Sequence, residues 1–120
     1  IGKLYNLFGK YEVIAEKDFH AFIALCGSSP AYVFMFIEAM ADAGVKLGLP
    51  RAKAYKLAVQ SILGSAKLAL ETGKHPGVLK DEVCSPGGTT IEAVIDLEKN
   101  GFRNTVISAI EKCANKSKNI

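Results

Sequence analysis

The sequence predicts an all-α fold, a helical bundle whose apolar faces are broader than one short chain can cover. Three observations predict it. Apolar residues recur at helical spacing from Phe19 to Cys113, and no run alternates with the period of a strand. The breaks between these runs carry helix punctuation: Gly27-Ser28-Ser29-Pro30, Gly48-Leu49-Pro50, Thr72-Gly73-Lys74-His75-Pro76-Gly77 and Asn100-Gly101. Finally, 49% of the 120 residues are hydrophobic. A helical chain this apolar hides its excess against a second copy or another domain.

The elements follow in order. Leu4, Leu7 and Phe8 share one face of a short helical stretch, and Gly9, Val13 and Ile14 mark an extended link after it. The chain opens on Ile1 inside that pattern, so the reading expects a further N-terminal portion and takes residues 1–15 as the remnant of an interdomain segment. Residues 16–120 then form one domain. A helix starts near Glu16-Lys17-Asp18 and runs to Cys26, with Phe19, Phe22, Ile23 and Cys26 inward. Ser29 is placed to cap the next helix, with Pro30 at its first position. That helix, to about Leu47, carries Tyr32, Val33, Phe34, Met35, Phe36, Ile37, Ala39 and Met40 and has almost no polar face. A helix apolar all round is buried all round, and the natural cover is a second subunit; Glu38 and Asp42 read as polar groups of that interface. The stripe Ala52, Tyr55, Ala58, Val59, Ile62, Leu63, Ala66, Ala69 and Leu70 predicts a long helix to Glu71. A short helix over 78–83 follows, then one from Thr89 or Thr90 to Lys99, where Thr89 and Glu92 have capping-box spacing. The last helix, Phe102 to Asn115, turns Val106, Ile107, Ala109, Ile110 and Cys113 inward.

Charge and cysteine usage exclude several classes. The net charge is +3, and the only basic cluster is Lys112, Lys116 and Lys118, without aromatic residues to stack on bases. It reads as a solvated, fraying C-terminus, not a nucleic-acid arm. Three cysteines, far apart and without a C-x-x-C pair, point to a reducing compartment, the cytoplasm. His20 and His75 lack a helical partner that would complete a metal site. The apolar run from Phe19 to Met40 is broken by Gly27-Ser28-Ser29-Pro30 and by Glu38, so no membrane span is expected.

One loop stands apart from the scaffold. Ser85-Pro86-Gly87-Gly88-Thr89-Thr90 lies just ahead of an apolar helical pattern. The first N–H groups of a helix have no partner inside it, and the helix dipole puts partial positive charge there. Glycines allow close approach and threonine hydroxyls add neutral hydrogen bonds. This is either a seat for a small carboxylate or phosphate or a tight turn with a helix cap. The local chemistry leaves both open.

The same loop carries a resemblance. His-Pro-Gly-Val-Leu-Lys-Asp-Glu-Val-Cys-Ser-Pro-Gly-Gly-Thr-Thr-Ile-Glu-Ala-Val from His75, then Leu97-Glu98 and Gly101-Phe102-Arg103, closely resembles the signature of the pyrroline-5-carboxylate reductases. The segments 27–34, 37–39 and 43–50 agree, and the likeness extends from about Leu7 to Ala114. It implies the helical C-terminal domain of that family, similar to the C-terminal domain of 6-phosphogluconate dehydrogenase, which interleaves with a second copy as a homodimer and in places builds rings of dimers. It implies NADPH or NADH held by a separate Rossmann domain, and reduction of 1-pyrroline-5-carboxylate to proline. By position, Ser85, Pro86, Gly87, Gly88, Thr89 and Thr90 would bind the substrate carboxylate, with Gly87, Gly88 and Thr89 as amide donors. Thr90 would be the catalytic threonine beside the ring nitrogen.

Two positions depart from the family pattern: Ser29 stands where glycine is common, and Lys74 where some members have an acid, a role Glu71 does not match. His75 reads as a loop histidine and Cys84 as a small semi-buried residue. Two other classes compete: a non-catalytic helical oligomerisation module, and the helical domain of another Rossmann-linked dehydrogenase, which would need a lysine that the loop lacks.

Overall fold

The structure, a computed structural model, describes the backbone of residues 2–7 and 10–119 and the side chains of residues 15–119. Strands β1 (Gly2–Leu7) and β2 (Lys10–Ala15) pair antiparallel, with Leu4 opposite Val13. A 3-10 turn (Glu16–Asp18) leads into α1 (Phe19–Phe22), which continues as a π-helical turn (Ile23–Gly27). Then come α2 (Ser29–Lys46), α3 (Arg51–Thr72), α4 (Pro76–Val83), α5 (Thr89–Lys99) and α6 (Phe102–Lys118). From Glu16 to Lys118 the body is all-α, as the periodicity predicts.

The hairpin corrects the reading of the first residues. Leu4 and Leu7 lie in a strand, not on a helix face; Phe8 and Gly9 fall outside the described residues. Tyr5, Tyr11, Val13 and Ile14 are the aromatic and β-branched types that suit a pleated surface, and pairing outweighs a helical pattern only five residues long.

Chain contacts divide the protein into two units, residues 1–33 with 102–120, and residues 34–101. In the first, α6 lies against α1 and the π turn. His20 Nδ1 and Ser117 Oγ are 2.7 Å apart, which ties the end of α6 down. The helix therefore continues to Lys118 where a fraying tail was expected. Cys113 and Ile110 are half-buried, but Val106, Ile107 and Ala109 are exposed, contrary to expectation. Ser29 also departs from its expected role: its hydroxyl donates back to the Cys26 carbonyl at 3.3 Å and caps nothing. The π turn brings that carbonyl within reach, and α2 starts one residue earlier than the proline implies.

In the second unit, α2 and α3 approach most closely near the turn that joins them. A Cβ on Gly44 would stand 3.2 Å from Ala54 Cβ and 3.3 Å from Leu49 Cδ1, so a side chain there would require the neighbours to give by a few tenths of an ångström. Asp42 accepts from Arg51 at 2.8 Å across the same turn, and the Arg51 guanidinium lies 5.9 Å from the Tyr55 ring. Asp42 thus forms an exposed ion pair across the α2–α3 turn.

Burial is confined to small residues. The buried hydrophobic residues are Ala24, Ala41, Ala54 and Ala58, and no large side chain is fully buried among the described residues. Phe34 is 63% and Met35 67% exposed, with Phe36, Leu57, Leu63 and Leu70 also exposed. Phe34 and Met35 belong to the helix predicted to be buried all round. By length and composition the helical run Glu16–Lys46 would also pass as a membrane span, because the π turn carries helix through the glycine–serine break that was expected to interrupt it.

Candidate functional site

The site is built from α4, the turn after it and the first turn of α5. Pro76 opens α4, where its missing N–H leaves nothing unsatisfied. His75 is the N-cap, extended at φ −60° and ψ 134°, and its Nδ1 accepts the Gly77 N–H at 2.9 Å. Lys74 Nζ reaches Glu82 at 3.0 Å, bracing the approach to α4 against its last turn. α4 ends where the Cys84 N–H donates to the carbonyls of Lys80 and Asp81 at 3.2 and 3.1 Å. Cys84 is half-buried, and its visible role is this closing turn.

Residues 85–88 form a tight turn in which the Gly88 N–H donates to the Ser85 carbonyl at 3.1 Å. Gly87 has φ +69°. With proline at the second position and a left-handed third residue, the turn is type II. A side chain at Gly88 would meet Ser85 Oγ at 2.6 Å and the Ser85 carbonyl oxygen at 3.2 Å. Both glycines are therefore fixed by local geometry.

α5 begins at Thr89 with Gly88 as its N-cap and no side-chain cap. The expected Thr89–Glu92 capping box is not formed. Thr89 is already inside the helix, so its hydroxyl is past the position from which a cap reaches the first turn. The N–H groups of Thr89, Thr90 and Ile91 consequently sit in that turn without helical acceptors, and that of Gly87 finds none among the described residues. Gly88's N–H, expected to be a ligand donor, is spent inside the turn. Gly88 and Thr90 are half-buried; Ser85, Pro86, Gly87 and Thr89 are exposed. No lysine or arginine lies in residues 84–91. An anion here would be held by neutral amides and the helix dipole, the dipole alone being worth about 0.3–1 kcal/mol at an exposed site. Such a seat orients a carboxylate more than it binds it tightly.

Two features escaped the sequence pattern. The His75 cap is one, because histidine is not among the usual capping residues; Pro76 at the helix start was the available signal. The other is a cluster of Ser28, Tyr32 and Cys113 in the first unit, where the Cys113 thiol donates to Ser28 Oγ at 3.3 Å. Hydrogen bonding from Ser28, then from Tyr32, holds the Cys113 thiol below its ordinary range. The Tyr32 phenol is pushed up, first by its hydrogen bond with Cys113 and then by burial. Eighty-five residues separate Cys113 from Ser28, and no local pattern spans that distance. No trio of metal-ligating side chains gathers among the described residues.

The geometry defines a helical domain that leaves large apolar residues exposed and carries a type II turn at the start of a helix. The family model described as "Pyrroline-5-carboxylate reductase dimerisation" matches residues 16–120, and the chain belongs to that family. It is 62% identical over 117 residues to the pyrroline-5-carboxylate reductase of Escherichia coli K12, covering 98% of this chain and 44% of that protein. The Arabidopsis thaliana enzyme is 50% identical over 120 residues, all of this chain and 44% of its own. Among solved structures, 1-pyrroline-5-carboxylate reductase from Streptococcus pyogenes superposes with TM-score 0.87 at 50% identity, covering 89% of this chain and 41% of that one. The Plasmodium falciparum enzyme, solved with NADP bound, gives 0.85 at 44% identity, with 88% and 42% covered. The chain spans less than half the length of these relatives.

Proposed function

We propose that residues 16–120 are the dimerisation and substrate-binding domain of a cytoplasmic pyrroline-5-carboxylate reductase, preceded by an interdomain segment over residues 1–15. The protein reduces 1-pyrroline-5-carboxylate to proline and works as a homodimer, which can associate further into a ring. It binds neither nucleic acid nor membrane. One observation supports the site assignment: the type II turn of residues 85–88 leads straight into the first turn of α5, whose N–H groups have no helical acceptors, in a family whose substrate is a small cyclic carboxylate.

The Gly87, Thr89, Thr90 and Ile91 amides receive the substrate carboxylate and fix the ring's orientation. Thr90 follows directly, and its hydroxyl donates to the ring nitrogen. As the imine carbon gains a hydride, the C=N π electrons pass to that nitrogen, which also takes a proton; saturation of the bond gives the secondary amine. NADPH or NADH would supply the hydride. The residues of this chain do not fit a dinucleotide, since Gly87-Gly88 follow a helix where the dinucleotide fingerprint requires a strand. The cofactor is therefore assigned to a part of the protein outside residues 1–120.

Crystals of the dimer soaked with proline test the reading. The proline carboxylate is expected within hydrogen-bond distance of the amides that follow Pro86. Proline bound elsewhere, with this turn empty in a formed dimer, would overturn it.

A further inference from the structure

We infer that His75 is a positioning residue for the 85–90 turn, and that it holds the turn only while its imidazole is neutral. The inference rests on the proposed role of the turn and extends it to a group that touches no substrate.

α4 is eight residues long, shorter than helices that persist unaided in water. Its packing offers little help. Pro76, Leu79 and Val83 face Leu68 and Ala69 of α3 across a groove of about 280 Å³ that they leave open. α4 has no buried residue. Its first turn is held by the Val78 and Leu79 N–H groups donating to the His75 carbonyl at 2.9 and 3.1 Å, by the Gly77 N–H donating to His75 Nδ1 at 2.9 Å, and by the exposed ion pair of Lys74 and Glu82; of these only the imidazole bond depends on the ring's protonation. Because α4 runs directly into Cys84 and the turn, a frayed first turn frees the segment that supports the amides at its far end.

A histidine cap differs from the usual serine or aspartate in one respect: it can be switched off. Neutral imidazole has one acceptor nitrogen, whereas imidazolium has two donors and none. Protonation thus removes the acceptor of the Gly77 N–H and puts a positive charge at the positive end of the α4 dipole. No carboxylate is recorded in contact with the ring among the described residues. The charged groups nearest to it along the chain are Glu71 at the end of α3, Lys74 with its partner Glu82, and Lys80 paired with Asp81 at 2.9 Å. The cap therefore exists only while the ring is neutral.

Amide hydrogen exchange of residues 75–90 in the intact protein, at about pH 8 and about pH 5.5 and corrected for intrinsic rates, reads this directly, since histidine changes charge in that interval. Wild type is expected to lose protection about fivefold on acidification, the size of one lost cap. His75→Asn keeps an acceptor that does not titrate, so protection stays at both pH values; His75→Leu is low at both. Proline carries the same charges throughout this interval, so its affinity is expected to follow the same three patterns. Equal pH dependence in wild type and His75→Asn, or unchanged protection in His75→Leu, overturns the inference. If the exchange pattern appears but proline fails to bind in every form, the cap stands and the assigned ligand of the turn falls.

Discussion

Thr89 and Thr90 are neighbours on the first turn of α5, and a helix rotates about 100° per residue, so their hydroxyls address different surroundings. Thr90 is half-buried and Thr89 exposed. Neither caps the helix, because Gly88 holds that position. On the role proposed for Thr90, replacing it by alanine in the intact protein removes a hydrogen-bond donor at the substrate's ring nitrogen. Turnover is expected to fall by about 10²–10³-fold, or about 3–4 kcal/mol. The sequence pattern assigned Thr89 a cap worth about 1 kcal/mol. Without that hydrogen bond, Thr89→Ala is an exposed substitution expected to change stability by no more than about 0.5 kcal/mol, with turnover close to wild type. Steady-state kinetics of the two variants decide this; equal losses would mean that the hydroxyls share a role and that the assignment of Thr90 is wrong.

At the scale of the element, the α2–α3 junction depends on what is missing from Gly44. Its absent Cβ leaves Ala54 and Leu49 in place, and a built one would come within 3.2–3.3 Å of both. Gly44→Ala gains about 1 kcal/mol of helix propensity against a contact the neighbours must relax. Gly44→Leu adds three further carbons with nowhere to go and is expected to lower stability by about 1–3 kcal/mol. It also pulls Asp42 away from Arg51. Thermal denaturation of the two variants checks this; Gly44→Leu as stable as wild type would show that the helices separate freely. Much of this level was legible beforehand. Pro50, the Gly73 stop and the 3.6-residue stripe of α3 placed its boundaries to within a residue, since each acts on its own neighbours. The Ser85–Thr90 turn was legible for the same reason. The hairpin, the His75 cap and the Ser28–Cys113 contact were not. The first depends on pairing between segments, the second on the geometry of one imidazole, and the third on residues eighty-five positions apart. The capping box failed because spacing fixes which residues lie three apart but not where the helix starts.

For the whole molecule, the deciding fact is which residues lack cover. Among the described residues only alanines are buried, while Phe34, Met35, Leu57, Leu63 and Leu70 are exposed. Full burial of each large side chain contributes about 1.5–3 kcal/mol, so several of them together decide whether the fold persists. Membership of a family described by dimerisation supports a second copy of the same helices as the cover. The folded state is then coupled to assembly, and the melting temperature rises with protein concentration. Phe34→Glu with Met35→Glu places two charges on the most exposed part of α2. Sedimentation equilibrium at micromolar concentration is expected to show wild type as a dimer or larger. The double variant should be monomeric, with a melting temperature that no longer depends on concentration, or unfolded. The run Glu16–Lys46 has the length and apolarity of a membrane span, so the same preparation is mixed with neutral phospholipid vesicles and floated. Wild type remaining with the aqueous fraction as an assembled species supports the interface. A stable folded monomer across the concentration range, or quantitative flotation with the vesicles, would assign this surface to something other than a second copy of the chain.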